Sequence, residues 1–182
     1  MDGFQPWLVK ILASAKPVTA LMHTHWAWPI CQILHFFGLS LLIGAIGIFD
    51  LRLIGIGKRI PIAALHRVIP WGIAGYVLNM ATGLLFLMGD PKQYIYNPSF
   101  HFKILFMMVA GLNVLAFYSV VFWKVRMLPP GVNTPLAAKV IGAVSLSMWI
   151  GVIIAGRLIA FYRPFACGNE SLTFPFYCIP RL

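Results

Sequence analysis

The chain has 182 residues, of which 60% are hydrophobic and 10% are charged, and its mean hydropathy is +0.87. A soluble domain carries about a quarter charged residues, so this chain has too few to cover a water-facing surface. The formal charge of +10 comes from Lys and Arg at the ends of apolar stretches, not from one basic patch. The composition therefore excludes a soluble domain and a nucleic-acid-binding protein, and it predicts an integral membrane protein.

The N-terminal segment has the pattern of a surface helix. Apolar side chains recur at helical spacing along residues 3–16, and Lys10 and Ser14 fall between them. This pattern predicts an amphipathic helix that lies in the membrane interface. The interrupted apolar run and Pro6 match a cleaved signal peptide poorly, so we expect no cleaved segment.

Four long stretches contain no Lys, Arg, Asp or Glu. A helix of about 20 apolar residues crosses a bilayer core about 30 Å thick, so the chain has material for four spans. The first stretch is too long for one straight crossing, and Pro17 and Pro29 are the candidates to break it. We predict an all-α, four-helix membrane bundle in a single domain, followed by an outer tail over 163–182. The expected spans are residues 27–50, 68–89, 101–123 and 139–162.

The distribution of cations predicts the orientation. Four basic residues lie between the first two spans, and the earliest span usually decides how a chain inserts. We therefore expect a multi-pass protein of the bacterial inner membrane with both termini in the periplasm. Cys167 and Cys178 flank a short loop in the tail, and an oxidising compartment would allow a disulfide between them. Cys31, in the first span, would stay unpaired.

Small and polar residues recur along one face of the second span and of the fourth. Such faces let membrane helices approach closely, so we interpret them as packing seams, with Asn79 and Asn113 bonding between helices. The residues are Gly72, Gly75, Asn79, Thr82 and Gly83 in the second span, and Gly142, Ser145, Trp149, Val152 and Gly156 in the fourth.

Asp50 and Arg52 close the first span. Residues two apart on a helix do not face each other, so these two cannot pair. We expect Asp50 to form an ion pair with a basic residue of a loop or another helix, as a structural latch.

His35 lies about eight residues into the first span, on a face continued by Gly38. Ionisable residues at such depth are unfavourable in a bilayer and usually functional. A neutral ring bonded to a neighbouring helix is one interpretation. The other is an axial ligand to the iron of a haem b, with small residues leaving room for the macrocycle.

A haem at this depth would need further groups near the outer end of the bundle. His101 is our predicted second ligand, and Lys103 and Arg157 are the predicted partners of the propionates. The other candidates for the second ligand are Met80, Met108 and His66. Separately, His23 and His25 form a His-x-His pair that could bind copper with further ligands such as His101.

Several short motifs carry a family resemblance. They are Trp28-Pro29 with His35-x-x-Gly38, Asp50-Leu51-Arg52-Leu53, Pro70-Trp71 with Gly75, Thr82-Gly83, Phe100-x-x-Lys103 with Asn113, and Ser145 with Trp149 ahead of Gly156-Arg157. Over residues 26–162 the set resembles an uncharacterised bacterial family of four-helix membrane proteins. More loosely, it is similar to copper-resistance-D-type and b-type cytochrome membrane domains, which implies haem held by helix histidines. Because the second and fourth spans lack an internal His, one haem is implied at most.

Three functions follow as hypotheses. The first is a cytochrome-like electron-transfer protein that binds one haem and works between membrane quinol and a periplasmic redox protein, without substrate chemistry of its own. The second is a haem-free accessory or assembly subunit of a larger complex, or a homo-oligomer. The third is a carrier of copper or a small solute. The chain lacks paired carboxylates, a nucleophile with its base, and a phosphate-binding loop, which argues against hydrolytic and phosphoryl-transfer enzymes.

Overall fold

The computed structural model describes residues 4–162, and the regular elements in this part of the chain are helical. The predicted Cys167–Cys178 disulfide and the tail lie outside the described residues. The helices are α1 (Phe4–Ala13), α2 (Lys16–Met22), α3 (Ala27–Ile54), α4 (Ile62–His66), α5 (Ile69–Gly89), α6 (Pro91–Ile95), α7 (Pro98–Ala116), a π-helical turn (Phe117–Val121), α8 (Phe122–Val125) and α9 (Leu136–Leu158).

Four helical segments are long and apolar enough to cross a bilayer, which confirms the predicted number. Many of their large apolar side chains are exposed, and this indicates contact with a lipid bilayer. The segments are Ala27–Ile54, Ile62–Gly89, Pro98–Val125 and Leu136–Leu158.

The ends of these segments differ from the predicted boundaries for local reasons. Helix α3 continues four residues beyond Asp50 because its C-cap is Gly55, whose φ of 115° is accessible to glycine and strained for other residues. Helix α9 starts directly after Pro135 and ends at Leu158, several residues earlier than expected at each end.

The packing order places α3 at the centre of the bundle. It packs against α5 on one side and α9 on the other, and α9 packs against α7. Helices α5 and α7 do not pack closely. The bundle is therefore closed on the α3 and α9 side and looser between α5 and α7.

At each end of the bundle a buried polar side chain forms hydrogen bonds to backbone carbonyls. Near the start of α7, the buried Asn97 amide donates hydrogen bonds to the carbonyls of Ile159 and Tyr162. At the opposite end, which we name the Arg52 end, the buried Arg52 guanidinium donates to the carbonyls of Ile60 and Val132.

The N-terminal segment forms two helices, α1 and α2, where the sequence predicted one over residues 3–16. The break falls at Ser14 and Ala15, and Pro17 takes an early position in α2, where its missing N–H removes no helical bond. Both helices lie at the end opposite Arg52, where α1 contacts α6 and α2 contacts α5.

Candidate functional site

His35 is held against α5 by a defined hydrogen bond. Its Nδ1 lies 2.8 Å from the Thr82 hydroxyl oxygen, and that hydroxyl lies 2.7 Å from the carbonyl of Leu78. A hydroxyl has one hydrogen to donate. Because Thr82 gives it to the backbone of its own helix, we assign the proton of the imidazole to Nδ1. The lone pair of His35 is then on Nε2.

Other contacts from α5 fix the His35 ring in place. The ring meets Phe86 edge-on at 5.5 Å between centroids, and the Asn79 amide donates to the His35 carbonyl at 3.0 Å. Gly83 leaves room beside the ring, since a methyl group there would lie 3.8 Å from Cε1. His35 is thus half-buried in the α3–α5 interface.

The two predicted propionate partners point in different directions. The Lys103 side chain runs along Gly156, where a methyl group would lie 3.8 Å from Nζ, and Lys103 is close enough to His35 for electrostatic interaction. Arg157 is exposed, and its guanidinium lies over the Phe161 ring at 5.8 Å. Lys103 therefore lies within electrostatic range of His35, whereas Arg157 packs on Phe161.

The predicted second iron ligands lie outside the α3–α5 interface. His101, Met80 and Met108 are exposed, and His66 lies at the Arg52 end, where its Nε2 is 3.1 Å from the Tyr118 hydroxyl. His23 and His25 are exposed as well. Residues 4–162 contain no group of three or more His, Cys, Asp or Glu that could hold a metal.

A cavity of about 290 Å³ lies in the part of the bundle towards the Arg52 end. All four long helices line it, and it occupies the space that α5 and α7 leave between them. Its polar and aromatic lining residues include Asp50, Tyr76, Asn113, Phe117, Ser145 and Trp149.

Asp50 and Trp149 line this cavity, and each has a buried polar atom that the described residues leave unpartnered. Asp50 is only 4% exposed, the Ser145 side chain lies beside its carboxyl group, and Oδ2 has no partner. Trp149 is 7% exposed, and its indole Nε1–H has no acceptor. Buried polar atoms are nearly always hydrogen-bonded, so two unpartnered atoms in residues that line one cavity are unusual.

The predicted ion pair of Asp50 is wrong for the part of the chain that the structure describes. Arg52 points away to loop carbonyls, and Ser145 is the group beside the carboxyl. The sequence predicts a latch at Asp50 and does not identify it as a site residue. The available signal is a carboxyl group at the end of an apolar span, which is unfavourable in a membrane unless it has a function.

The wall formed by α7 contains the π-helical turn. Phe117 and Tyr118, the first two residues of this turn, both line the cavity, and Phe117 meets Phe49 edge-to-face at 5.4 Å. Single π turns inside α-helices occur frequently at functional sites. Here the turn shapes the wall beside Asp50.

Comparisons of the chain with protein-family models, curated proteins and solved structures found no match. The family resemblance drawn from short motifs therefore stays a prediction.

Proposed function

We propose that this protein is an integral membrane protein that binds a small lipid-soluble molecule inside its four-helix bundle. The observation that carries this proposal is the pair of unpartnered atoms, Asp50 Oδ2 and Trp149 Nε1, in two residues that line one cavity. A buried polar group without a partner destabilises a protein by about 1–3 kcal/mol. A ligand that supplies an acceptor and a donor removes both penalties.

The route of entry runs through the side of the bundle. Ile73 of α5 and Val114 of α7 line the cavity, and both are also exposed on the outer surface. They therefore flank an opening that faces the hydrocarbon. A molecule dissolved in the bilayer can enter there without crossing either polar end.

Thiol labelling tests whether the cavity is open to the bilayer. In a background with Cys31, Cys167 and Cys178 replaced by Ser, Ser145→Cys places a thiol on the cavity wall. The matched control is Ala138→Cys, on the same helix and equally buried, but packed in the apolar core outside the cavity.

With both variants in lipid nanodiscs, we expect N-ethylmaleimide to label the Ser145→Cys thiol at least tenfold faster than the Ala138→Cys thiol. Equal, slow labelling of the two would contradict the proposed function.

A second candidate function is the cytochrome-like electron carrier, supported by the state of His35. With Nδ1–H donated to Thr82, the Nε2 lone pair would be available to bind haem iron, and Lys103 would be the partner of a propionate. His35 would supply one ligand to the iron, and no second ligand is assigned. Bound haem would supply the one-electron chemistry, while His35 and Thr82 would fix the orientation of the ring.

An oxidised-against-reduced spectrum of the purified protein tests this second candidate. We expect a Soret band that His35→Ala abolishes and Thr82→Val retains with a shifted reduction potential, because Thr82 acts only through the imidazole. A colourless wild-type protein from haem-replete cells would rule the candidate out.

A further inference from the structure

We infer that the ligand of the cavity is an aromatic ring carrying hydroxyl groups, of the phenol or hydroquinone class. The inference rests on the proposed function and assigns the chemical class of its ligand. It follows from the hydrogen-bonding needs of the wall, the aromatic character of that wall, and the size and opening of the cavity.

The unpartnered atoms determine the polar pattern of the ligand. Asp50 Oδ2 accepts and therefore needs an O–H or N–H, whereas Trp149 Nε1–H donates and needs an oxygen. A hydroxyl group serves either requirement.

The side walls of the cavity favour a flat ring between the two polar groups. Phe49 and Phe117 form one edge-to-face pair, and Tyr76 and Trp149 form another at 6.1 Å. Aromatic rings attract a further ring in edge-to-face or offset geometry. The same wall offers no comparable preference to a branched aliphatic chain.

The size of the cavity is appropriate for one substituted ring. A protein cavity of about 150 Å³ is known to bind benzene, and the 290 Å³ here leaves space for oxygen and methyl substituents. An apolar tail on the ring would leave through the opening between Ile73 and Val114 into the hydrocarbon. Both a free phenol and a tailed membrane quinol carry the required chemistry.

A cation is the alternative occupant of a site with a carboxyl group. Hard cations take six or more oxygen ligands, and transition metals prefer several His, Cys or carboxylate groups. Around Asp50 the described helices provide one carboxyl and one serine hydroxyl, with no acidic or histidine cluster. The donor set thus favours a hydroxyl ligand.

Binding to three probes tests the inference, using the full-length protein in nanodiscs without oxygen. The probes are tetramethylhydroquinone, its dimethyl ether, which has the same ring but no O–H, and decylubiquinol, which adds a tail. The variants are Asp50→Leu, which removes both carboxyl oxygens, and the control Asp90→Asn. Asp90 lies outside the cavity and caps α6, a role that Asn fills equally well.

We expect saturable binding of tetramethylhydroquinone, with at least tenfold weaker binding of the dimethyl ether and at least tenfold weaker binding to Asp50→Leu. Asp90→Asn should behave as the wild type. These factors follow from losing one hydrogen bond to a buried carboxyl group. Tighter binding of decylubiquinol than of the tailless ring would identify a membrane quinol as the source, and equal binding a free phenol.

Equal affinity for the hydroquinone and its ether, or for wild type and Asp50→Leu, would overturn the inference. So would stabilisation of the wild type by Na⁺ or Cu²⁺ that depends on Asp50 and occurs without hydroquinone binding. The thiol-labelling result separates the two proposals. A labelled Ser145→Cys thiol with no hydroquinone binding leaves the cavity function and removes only the ligand class.

Discussion

Gly38 and Gly75 meet backbone to backbone where α3 crosses α5. A methyl group on Gly75 would lie 2.5 Å from the Gly38 carbonyl oxygen and 2.7 Å from the Leu42 nitrogen. Small residues let membrane helices approach this closely, and the contact sets the height of His35 against Thr82.

Gly75→Ala is therefore expected to weaken the α3–α5 interface. Backbone atoms cannot move aside as a flexible side chain does, so the added methyl should lower the free energy of unfolding by about 1–3 kcal/mol. Gly44→Ala is the control, because a methyl there meets nothing within 4 Å. Denaturant unfolding in detergent micelles measures both. A Gly75→Ala protein as stable as Gly44→Ala would contradict the close approach.

The sequence predicted the number of long helices and their small-residue faces well. Charged residues are excluded from the bilayer interior, so the gaps between them report the spans directly. Gly142 illustrates the seams: a methyl on it would lie 2.9 Å from the carbonyl of Asp50. The ends of α3 and α9 depended on caps at Gly55 and Pro135, which charge gaps do not encode.

The cavity could not be predicted in the same way. Helical periodicity states which face is small or polar, but it does not state which helices are neighbours. The cavity exists because α5 and α7 are not closely packed, and this depends on how all four helices assemble. The predicted ion pair of Asp50 was wrong for the same reason. The neighbour of its carboxyl group is Ser145 of α9, which becomes apparent only once the helices are assembled.

Arg52→Ala is expected to loosen the loops at the Arg52 end. The side chain is 1% exposed and donates to the carbonyls of Ile60 and Val132, at 2.8 and 3.4 Å. Each carbonyl left unpaired should lower stability by about 1–3 kcal/mol. Exposed Arg59→Ala is the control. Hydrogen exchange should rise over residues 56–61 and 129–134 in the first variant only, and unchanged protection would refute this role.

Asn97→Ala should separate the start of α7 from the end of α9. Asn97 is fully buried and its amide donates to the carbonyls of Ile159 and Tyr162, so its loss leaves acceptors of the last turn unpaired. We expect a loss of about 1–3 kcal/mol in unfolding free energy. Asn133→Ala, in an exposed loop position, should change stability by less than about 0.5 kcal/mol. Similar values for the two would exclude Asn97 as an anchor.

Asp50 and Ser145 should affect stability in opposite directions. Asp50→Leu removes a buried carboxyl oxygen that lacks a partner, so we expect the unfolding free energy to rise by about 1 kcal/mol or more while hydroquinone binding is lost. Ser145→Ala removes the hydroxyl beside the carboxyl group and should lower the unfolding free energy by about 0.5–1.5 kcal/mol.

The double variant completes this cycle. In the Asp50→Leu background the Ser145 hydroxyl has no carboxyl group beside it, so Ser145→Ala should have little further effect on the unfolding free energy. The coupling free energy between the two positions should therefore exceed about 0.5 kcal/mol. Additive effects, or a destabilised Asp50→Leu, would mean that the carboxyl group is fully paired in the membrane. In that case the carboxyl group would offer no free acceptor to a ligand in the cavity. A gain in stability together with a loss of binding is therefore the result that distinguishes a ligand site from a packing defect.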